Sequence, residues 1–125
     1  MPLITIHALP LTDPSAVPAM LAALRDAGAA ALRCSPNNIW VMFHVAPPGY
    51  YLQGPASVTT PQRDSHPPAI IIRAQTGRTR AEREALTVAT AEAVARAYGI
   101  PATNVWLHYQ EMRPDDVWFG GRWAG

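Results

Sequence analysis

The sequence has 125 residues, of which 49% are apolar and 15% are charged, and its formal net charge is +1. This length and composition predict one compact domain over residues 1–125 and exclude a disordered chain. The near-neutral charge gives no reason to expect binding to nucleic acid or to a membrane surface. Cys34 is the single cysteine, so an internal disulfide is excluded. No signal peptide or membrane-spanning stretch is visible, and we expect a cytoplasmic protein.

An internal repeat organises the sequence. The segment Pro-Leu-Ile-Thr-Ile that starts at Pro2 returns 66 residues later as Pro-Ala-Ile-Ile-Ile, starting at Pro68. The same offset, without a gap, pairs Trp40 with Trp106. Each copy consists of a proline, a strand-like apolar run, a helical stretch and a second strand that carries the tryptophan. The pattern predicts that the chain is two β-α-β units.

The first copy begins with an apolar run over residues 3–9, which predicts a buried strand. Helix-entry residues and apolar residues at helical spacing predict a helix over about 15–33, and turn residues separate it from a second strand over 39–45. Residues 46–67 contain five prolines and two glycines. We therefore expect a loop there, with a short hairpin at 50–52.

The second copy has a predicted strand over 69–74, a helix over 79–98 and a last strand over 105–111. Thr79 and Glu82 match the capping box, in which each side chain accepts a hydrogen bond from the other residue's main-chain amide. A glycine and a proline then end the helix. The capping box and the stop signal make this helix the best-supported element of the sequence.

Two β-α-β units, pseudo-repeats over 1–66 and 67–125, give four main strands that are parallel within each unit. Two helices cover one face of such a sheet and leave the other exposed, which favours oligomerisation. Alternation along the last strand puts Trp106 and His108 on the same face. The aromatic, glycine-rich tail over 117–123 suits packing across a subunit boundary.

Three motifs in chain order carry a family resemblance. They are Pro2 after the initiator methionine, Gly77-Arg78-Thr79 at the second strand–helix junction, and the ending Glu111-Met112 with Phe119-Gly120-Gly121. Their joint order resembles the tautomerase superfamily. The second half is similar to a 4-oxalocrotonate tautomerase monomer. The fused length resembles the macrophage migration inhibitory factor, malonate semialdehyde decarboxylase and cis-3-chloroacrylic acid dehalogenase groups.

The resemblance implies an α+β (α/β) fold with a four-stranded sheet, two helices on one face, and a homotrimer whose sheets face inward. It also implies a cofactor-independent enzyme acting on a small carboxylate. The spacing of His7, His44 and His66 makes no recognisable metal site, so no metal is expected, and the resemblance implies no cofactor.

Pro2 is the candidate general base. Once Met1 is removed, Pro2 has a free secondary amine, and burial lowers the pKa of an amine by disfavouring the cation. A neutral amine at physiological pH can move a proton in a small enol or 2-oxo carboxylate. Pro68 cannot do this because its nitrogen is a tertiary amide. If Met1 is retained, Pro2 is an amide as well, and the alternative is a non-catalytic trimeric binding protein.

The resemblance suggests four substrate-binding residues. Arg78 matches the arginine that binds a substrate carboxylate in the tautomerases, where a guanidinium gives a bidentate, permanently charged partner. Gln75 stands where the dehalogenases carry a second arginine, and Phe119 where they carry a water-activating glutamate. Phe119 instead matches an aromatic residue of the tautomerases. Trp106 stands where the small tautomerases carry another arginine.

His108 completes the candidate catalytic residues. It corresponds to a tyrosine that the cis-dehalogenases supply from the neighbouring subunit, and it could bond a substrate oxygen or carry a proton. A purely structural role for this histidine remains open. The alternative reaction is hydration or dehalogenation of a 3-substituted acrylate or propiolate, with His108 assisting the water. Asn38 stands where the decarboxylase has an aspartate, which disfavours decarboxylation.

Overall fold

The structure is a computed structural model and describes residues 2–125. The expected removal of Met1 therefore concerns a residue outside the described range. The elements in chain order are β1 (Leu3–Ala8), α1 (Val17–Leu32), β2 (Trp40–Val45), β3 (Leu52–Gln53), β4 (Ala56–Ser57), β5 (Ala69–Gln75), α2 (Arg80–Tyr98), β6 (Trp106–Met112), β7 (Trp118–Phe119) and β8 (Arg122–Trp123). The four predicted strands and two predicted helices are all present, with ends that differ by one or two residues.

The four long strands form one mixed sheet in the order β2-β1-β5-β6. Strands β1 and β2 are parallel, as are β5 and β6, whereas β1 and β5 are antiparallel. Leu3 consequently pairs with Trp40 on one side and with Arg73 on the other. The beginning of β1 therefore lies between the beginning of β2 and the end of β5.

Both helices pack on one face of the sheet, where the apolar core lies. The largest completely buried core side chains are Ile4, Ile6, Leu24, Ile70, Ile72, Leu86 and Val94. Helix α1 packs on Ile39 and on Leu86 of α2 at Gly28, where an added Cβ would lie 3.6 Å from both side chains, an ordinary van der Waals distance. None of the helices within residues 2–125 is long and apolar enough to cross a membrane.

The opposite face of the sheet, which we call the open face, has no helix against it. Alternating positions of the four strands supply its side chains. Exposed apolar residues on this face are Trp40, Met42 and Trp106. As predicted, Trp106 and His108 share the open face, whereas Leu107 and Tyr109 pack against the core. The structure thus has the predicted one-sided arrangement.

The secondary structure repeats at the same offset of 66 residues as the sequence. A 3-10 turn at Pro14–Ala16 leads into α1, so the helical segment 14–32 matches α2 residue for residue. Asp13 and Thr79 cap the two segments at their beginnings, and Arg33 and Gly99 end them in the left-handed conformation. Thr79 and Glu82 form both bonds of the predicted capping box.

The repeat also includes a hairpin in each half. Strands β3 and β4 in the first half match β7 and β8 in the second half at the same offset of 66 residues. The predicted hairpin at 50–52 was therefore placed too early, since Gly54, with φ of 56°, makes its turn. Residues 58–67, which we call the insertion, follow the first hairpin and lead to Pro68.

Candidate active site

Pro2 lies at one end of the sheet, immediately before β1, and its side chain is completely buried. Its carbonyl accepts a hydrogen bond of 3.1 Å from the main-chain N–H of Trp40. Since Leu3 pairs with both Trp40 and Arg73, the first residues of β2 and the last residues of β5 flank Pro2. We call this end of the sheet the Pro2 end.

The end of β5 brings two predicted substrate-binding residues to the Pro2 end. Gln75 is the last residue of β5, and the chain then turns through Gly77, whose φ of 108° favours glycine. The turn folds Arg78 back, so that its Nη1 donates a hydrogen bond of 3.3 Å to the Gln75 carbonyl. Arg78 is half-buried. Its guanidinium is therefore held beside the strand end that flanks Pro2.

Phe119 contributes an aromatic wall at the same end. Its ring meets the Trp40 ring edge-on, with centroids 5.0 Å apart and an interplanar angle of 71°. The two rings belong to the β7–β8 hairpin and to the first residue of β2, respectively. Both are more than one-third exposed, so this wall can receive an apolar part of a ligand.

Trp106 and His108 do not join these residues within one chain. Trp106 pairs with Ala69, and its main-chain N–H donates a hydrogen bond of 3.0 Å to the carbonyl of Pro68. It therefore lies at the opposite end of the sheet from Pro2. His108 pairs with Ile71 in the middle of the open face, and its ring centroid is 6.1 Å from that of Trp106.

Comparison with known proteins gives a fold match without a sequence match. No protein-family model and no curated protein matches the chain. Among solved structures, a protein inactivated by 2-oxo-3-pentynoate has a TM-score of 0.84 at 21% identity, over 98% of this chain and 94% of that one. Wild-type fused 4-OT, solved as an asymmetric trimer, has a TM-score of 0.85 at 18% identity, over 98% and 95%. The chain has the tautomerase fold.

A member of the cis-3-chloroacrylic acid dehalogenase family also matches, with a TM-score of 0.74 at 17% identity, over 98% of this chain and 83% of that one. The predicted resemblance to the tautomerase superfamily is thus confirmed at the level of the fold. Because the sequence identities are low, the comparison extends to the fold, and the reaction depends on the side chains that this chain carries.

Two residues at the Pro2 end escaped the sequence reasoning. Trp40 forms the aromatic wall with Phe119, and the repeat could have identified it, since Trp40 is the counterpart of Trp106. Arg73 projects from β5 on the open face, pairs with Leu3, and is half-buried. Within the described residues it has no ion pair and no side-chain hydrogen bond. No motif distinguishes it in the sequence.

The opposite end of the tautomerase fold carries the insertion. Pro68 is as completely buried there as Pro2 is at its own end, but the insertion 58–67 packs nearby. The side-chain amide of Asn104 donates to the carbonyls of Gln62 and Ser65, at 2.7 and 2.9 Å. His66 is 1% exposed, and its Nε2 bonds the Ala56 carbonyl at 3.0 Å.

Other titratable groups near the Pro2 end have structural roles. The Glu82 carboxylate accepts a hydrogen bond of 3.0 Å from the Thr79 N–H, which lowers the pKa of Glu82. Glu82 is thus an anion that caps α2, which makes it a poor proton donor. Within the described part of the chain, no three histidine, cysteine or acidic side chains are grouped so that they could hold a metal ion.

Proposed function

We propose that the protein is a cofactor-independent tautomerase that acts on a small enol or 2-oxo carboxylate, with Pro2 as its general base. One observation carries this proposal. A completely buried Pro2 lies at the end of the sheet where Arg78 folds back and where Trp40 and Phe119 form an aromatic wall. A base, a carboxylate partner and an apolar surface are the groups that this reaction requires.

The chemistry depends on the charge of the Pro2 nitrogen. After removal of Met1 this nitrogen is a secondary amine, and burial lowers its pKa because an apolar environment disfavours the ammonium form. Arg78 binds the substrate carboxylate and orients the enol. The neutral amine accepts the hydroxyl proton of the enol and then gives a proton to the neighbouring carbon. The product is the ketone, with no net gain or loss of protons.

Gln75, Phe119 and Trp106 complete the proposed substrate contacts, and His108 is the third proposed catalytic residue. Because Trp106 and His108 lie away from Pro2 within one chain, we propose that a neighbouring subunit supplies them. The exposed apolar residues of the open face support a homotrimer, as does the trimeric state of the fused 4-OT. The single cysteine suits the reducing cytoplasm, where we propose that the enzyme works.

The second candidate reaction is hydration or dehalogenation of a 3-substituted acrylate or propiolate. The fold likeness to a member of the cis-3-chloroacrylic acid dehalogenase family favours it. Gln75 and Phe119 weigh against it, because they stand where those enzymes carry an arginine and a glutamate. A non-catalytic trimeric binding protein is the outcome expected if Met1 is retained.

The decisive experiment combines intact mass with a kinetic assay. Mass spectrometry first establishes whether Met1 is absent, and labelling with 3-bromopropiolate then reports whether Pro2 has a reactive amine. We expect ketonisation of phenylenolpyruvate or 2-hydroxymuconate well above the rate in buffer. A chain without Met1 that takes up the label but leaves both enols at the buffer rate would exclude the tautomerase reaction. Turnover of 3-chloroacrylate by this chain would favour the second candidate.

The assembly is tested separately by deletion of residues 117–125. The tail carries Phe119 and two exposed tryptophans, Trp118 and Trp123, and we propose that it packs across the subunit boundary. Sedimentation of the shortened chain should therefore give a lower mass than the full-length protein, with loss of activity. A shortened chain that stays trimeric contradicts the role of the tail, and a full-length monomer contradicts the assembly.

A further inference from the structure

Arg73 is a cation beside the proposed base, and it has no ion pair or side-chain hydrogen bond within residues 2–125. Its Cα pairs with that of Leu3, the residue after Pro2, so Arg73 is one residue out of register with Pro2 across the β1–β5 pair. Residues that face each other across such a pair, as Leu3 and Arg73 do, lie about 5 Å apart, and Pro2 is the next residue of the chain. The long side chain of Arg73 thus begins within a few ångströms of the Pro2 backbone.

No acid on the open face offsets this charge. The titratable or charged side chains on that face, among the described strand residues, are His7, His44, Arg73 and His108. His7 and His44 stack on each other with ring centroids 4.8 Å apart, and they lie toward the opposite end of the sheet. Leu3 and Gln110 are the register partners of Arg73, and neither of them is ionisable.

Three acids near the Pro2 end are paired with other groups, whereas Glu84 and Asp116 are exposed and make no ion pair within the described residues. The acid–partner pairs are Glu111 with Arg83 at 2.8 Å, Asp115 with Arg113 at 2.7 Å, and Glu82 with the Thr79 N–H at 3.0 Å. Asp116 is exposed in the turn before the tail, and the hairpin adds the exposed cation Arg122 as the register partner of Phe119. Arg33 and Arg78 are further cations at this end. The surroundings of Pro2 are therefore rich in positive charge.

We propose that Arg73 is a positioning residue that keeps the Pro2 amine in its neutral, basic form. This inference rests on the proposed function, because it requires a free amine at Pro2. A nearby like charge disfavours an ammonium ion. At a separation of about 8 Å and an effective dielectric constant of about 20, the effect on the amine pKa is on the order of one unit.

Arg73 differs from Arg78 in when it acts. Arg78 lowers the pKa of the amine in the free enzyme, but a bound substrate carboxylate neutralises its charge. Arg73 keeps its charge in the enzyme–substrate complex, because the substrate carboxylate binds Arg78 and not Arg73. The amine consequently stays neutral at the stage when it has to accept the substrate proton.

The experiment measures how fast Pro2 is labelled as a function of pH. The probe is 2-oxo-3-pentynoate, whose carboxylate does not titrate in the range where an amine does, and the readout is intact mass. The variants are Arg73→Met, Arg73→Gln and Arg73→Lys. Arg96→Met is the control, since it removes an exposed cation from the far end of α2.

We expect Arg73→Met and Arg73→Gln to raise the midpoint of the labelling profile by about one unit, which slows labelling below the midpoint about tenfold. Arg73→Lys and Arg96→Met should keep the wild-type midpoint. In the wild-type protein, added salt should raise the midpoint, because ions screen a half-buried guanidinium. The salt series needs no variant, so it remains informative if the neutral variants fail to fold.

The outcomes separate the two proposals. A wild-type chain that takes up no label has no free amine at Pro2, and both the proposed function and this inference then fail. Labelling with the same midpoint in wild type and Arg73→Met overturns the role of Arg73 alone. A raised KM in Arg73→Met with an unchanged midpoint also overturns it, because Arg73 would then be a second carboxylate anchor. A wild-type labelling midpoint that does not change with salt concentration contradicts an electrostatic effect on the amine.

Discussion

Pro2 and Pro68 occupy equivalent places in the two halves of the chain. Both side chains are completely buried, and each carbonyl accepts a hydrogen bond from the main-chain N–H of a tryptophan, at 3.1 Å from Trp40 and 3.0 Å from Trp106. The two nitrogens differ in their chemistry, because that of Pro68 is always an amide. Because the burial and the carbonyl hydrogen bond are shared while the nitrogens differ, Pro68 is an internal control for the proposed base.

Placing one serine between Met1 and Pro2 should abolish the proposed activity. The added residue turns the Pro2 nitrogen into an amide, and loss of a general base costs about 10²- to 10⁴-fold in rate. Pro68→Ala, the control, should keep the wild-type kcat/KM because Pro68 lies at the other end of the sheet. Steady-state kinetics with phenylenolpyruvate checks both variants. An active serine-extended chain of verified mass would exclude Pro2 as the base.

Phe119→Ala should weaken catalysis because it removes the ring that faces Trp40. Edge-to-face aromatic pairs contribute about 0.5–1.5 kcal/mol, so we expect a loss of about two- to tenfold in kcat/KM. Trp118→Ala tests the proposed assembly role of the same hairpin separately: Trp118 is 59% exposed and Phe119 54%, but the Trp118 ring packs on Trp123 instead of Trp40. Equal losses in the two variants would indicate that the hairpin as a whole matters, and not the Phe119–Trp40 wall.

The repeat explains why so much of the fold could be predicted. Because the pattern occurs twice, each end of a predicted strand or helix could be estimated from both copies. The capping box formed by Thr79 and Glu82 fixed the beginning of α2. The hairpin was misplaced because the prolines of 46–67 suggested a single loop. In fact, residues up to 57 belong to the first repeat, and the same offset that links Trp40 to Trp106 links the two hairpins.

The candidate site was less predictable because it depends on how the two halves pair. A motif identifies Arg78, but only the antiparallel pairing of β1 with β5 brings the end of β5 beside Pro2. The same pairing sends Trp106 to the opposite end of the sheet. Arg73 belongs to no motif. It is distinguished by its position opposite Leu3 and by the absence of an acid on the open face among the described strand residues. Such relationships have no local signature in a sequence.

Tyr98→Phe should change the response of the protein to alkali. The Tyr98 hydroxyl donates a hydrogen bond of 2.6 Å to the Leu9 carbonyl, and burial raises the pKa of Tyr98 above the ordinary value of 10.0. Above that pH the unfolded chain loses the phenolic proton while the folded protein keeps it. The wild-type protein therefore loses stability as the pH rises.

At neutral pH, Tyr98→Phe should lower the free energy of unfolding by about 1 kcal/mol, through loss of the hydrogen bond. Above pH 10, the variant should lose less of its free energy of unfolding than the wild-type protein does. Part of the loss that remains should come from Tyr51, because burial also raises the pKa of Tyr51. Urea titrations across this pH range measure both effects. Tyr50→Phe, which alters an exposed ring, should match the wild-type protein. Parallel pH profiles for wild type and Tyr98→Phe would contradict the argument.

Asn104→Ala should loosen the insertion, which packs at the end of the sheet near Pro68. The Asn104 side chain makes hydrogen bonds to the carbonyls of Gln62 and Ser65, and hydrogen bonds of this kind contribute about 0.5–1.5 kcal/mol each. We expect a loss of about 1–2 kcal/mol in the free energy of unfolding. Cleavage by protease should also become faster within residues 58–67, because the local opening of this segment costs less.

Asn38 is the matched control for this prediction, because the repeat makes it the counterpart of Asn104. Asn38 is exposed, and its side chain makes no hydrogen bond within the described residues, so Asn38→Ala should change stability by less than about 0.5 kcal/mol. Neither variant should alter the labelling of Pro2 by 2-oxo-3-pentynoate. Equal stability losses in the two variants would mean that both asparagines act through their turns, and that the hydrogen bonds of Asn104 do not hold the insertion. Slower labelling in Asn104→Ala would mean that the two ends of the sheet are coupled.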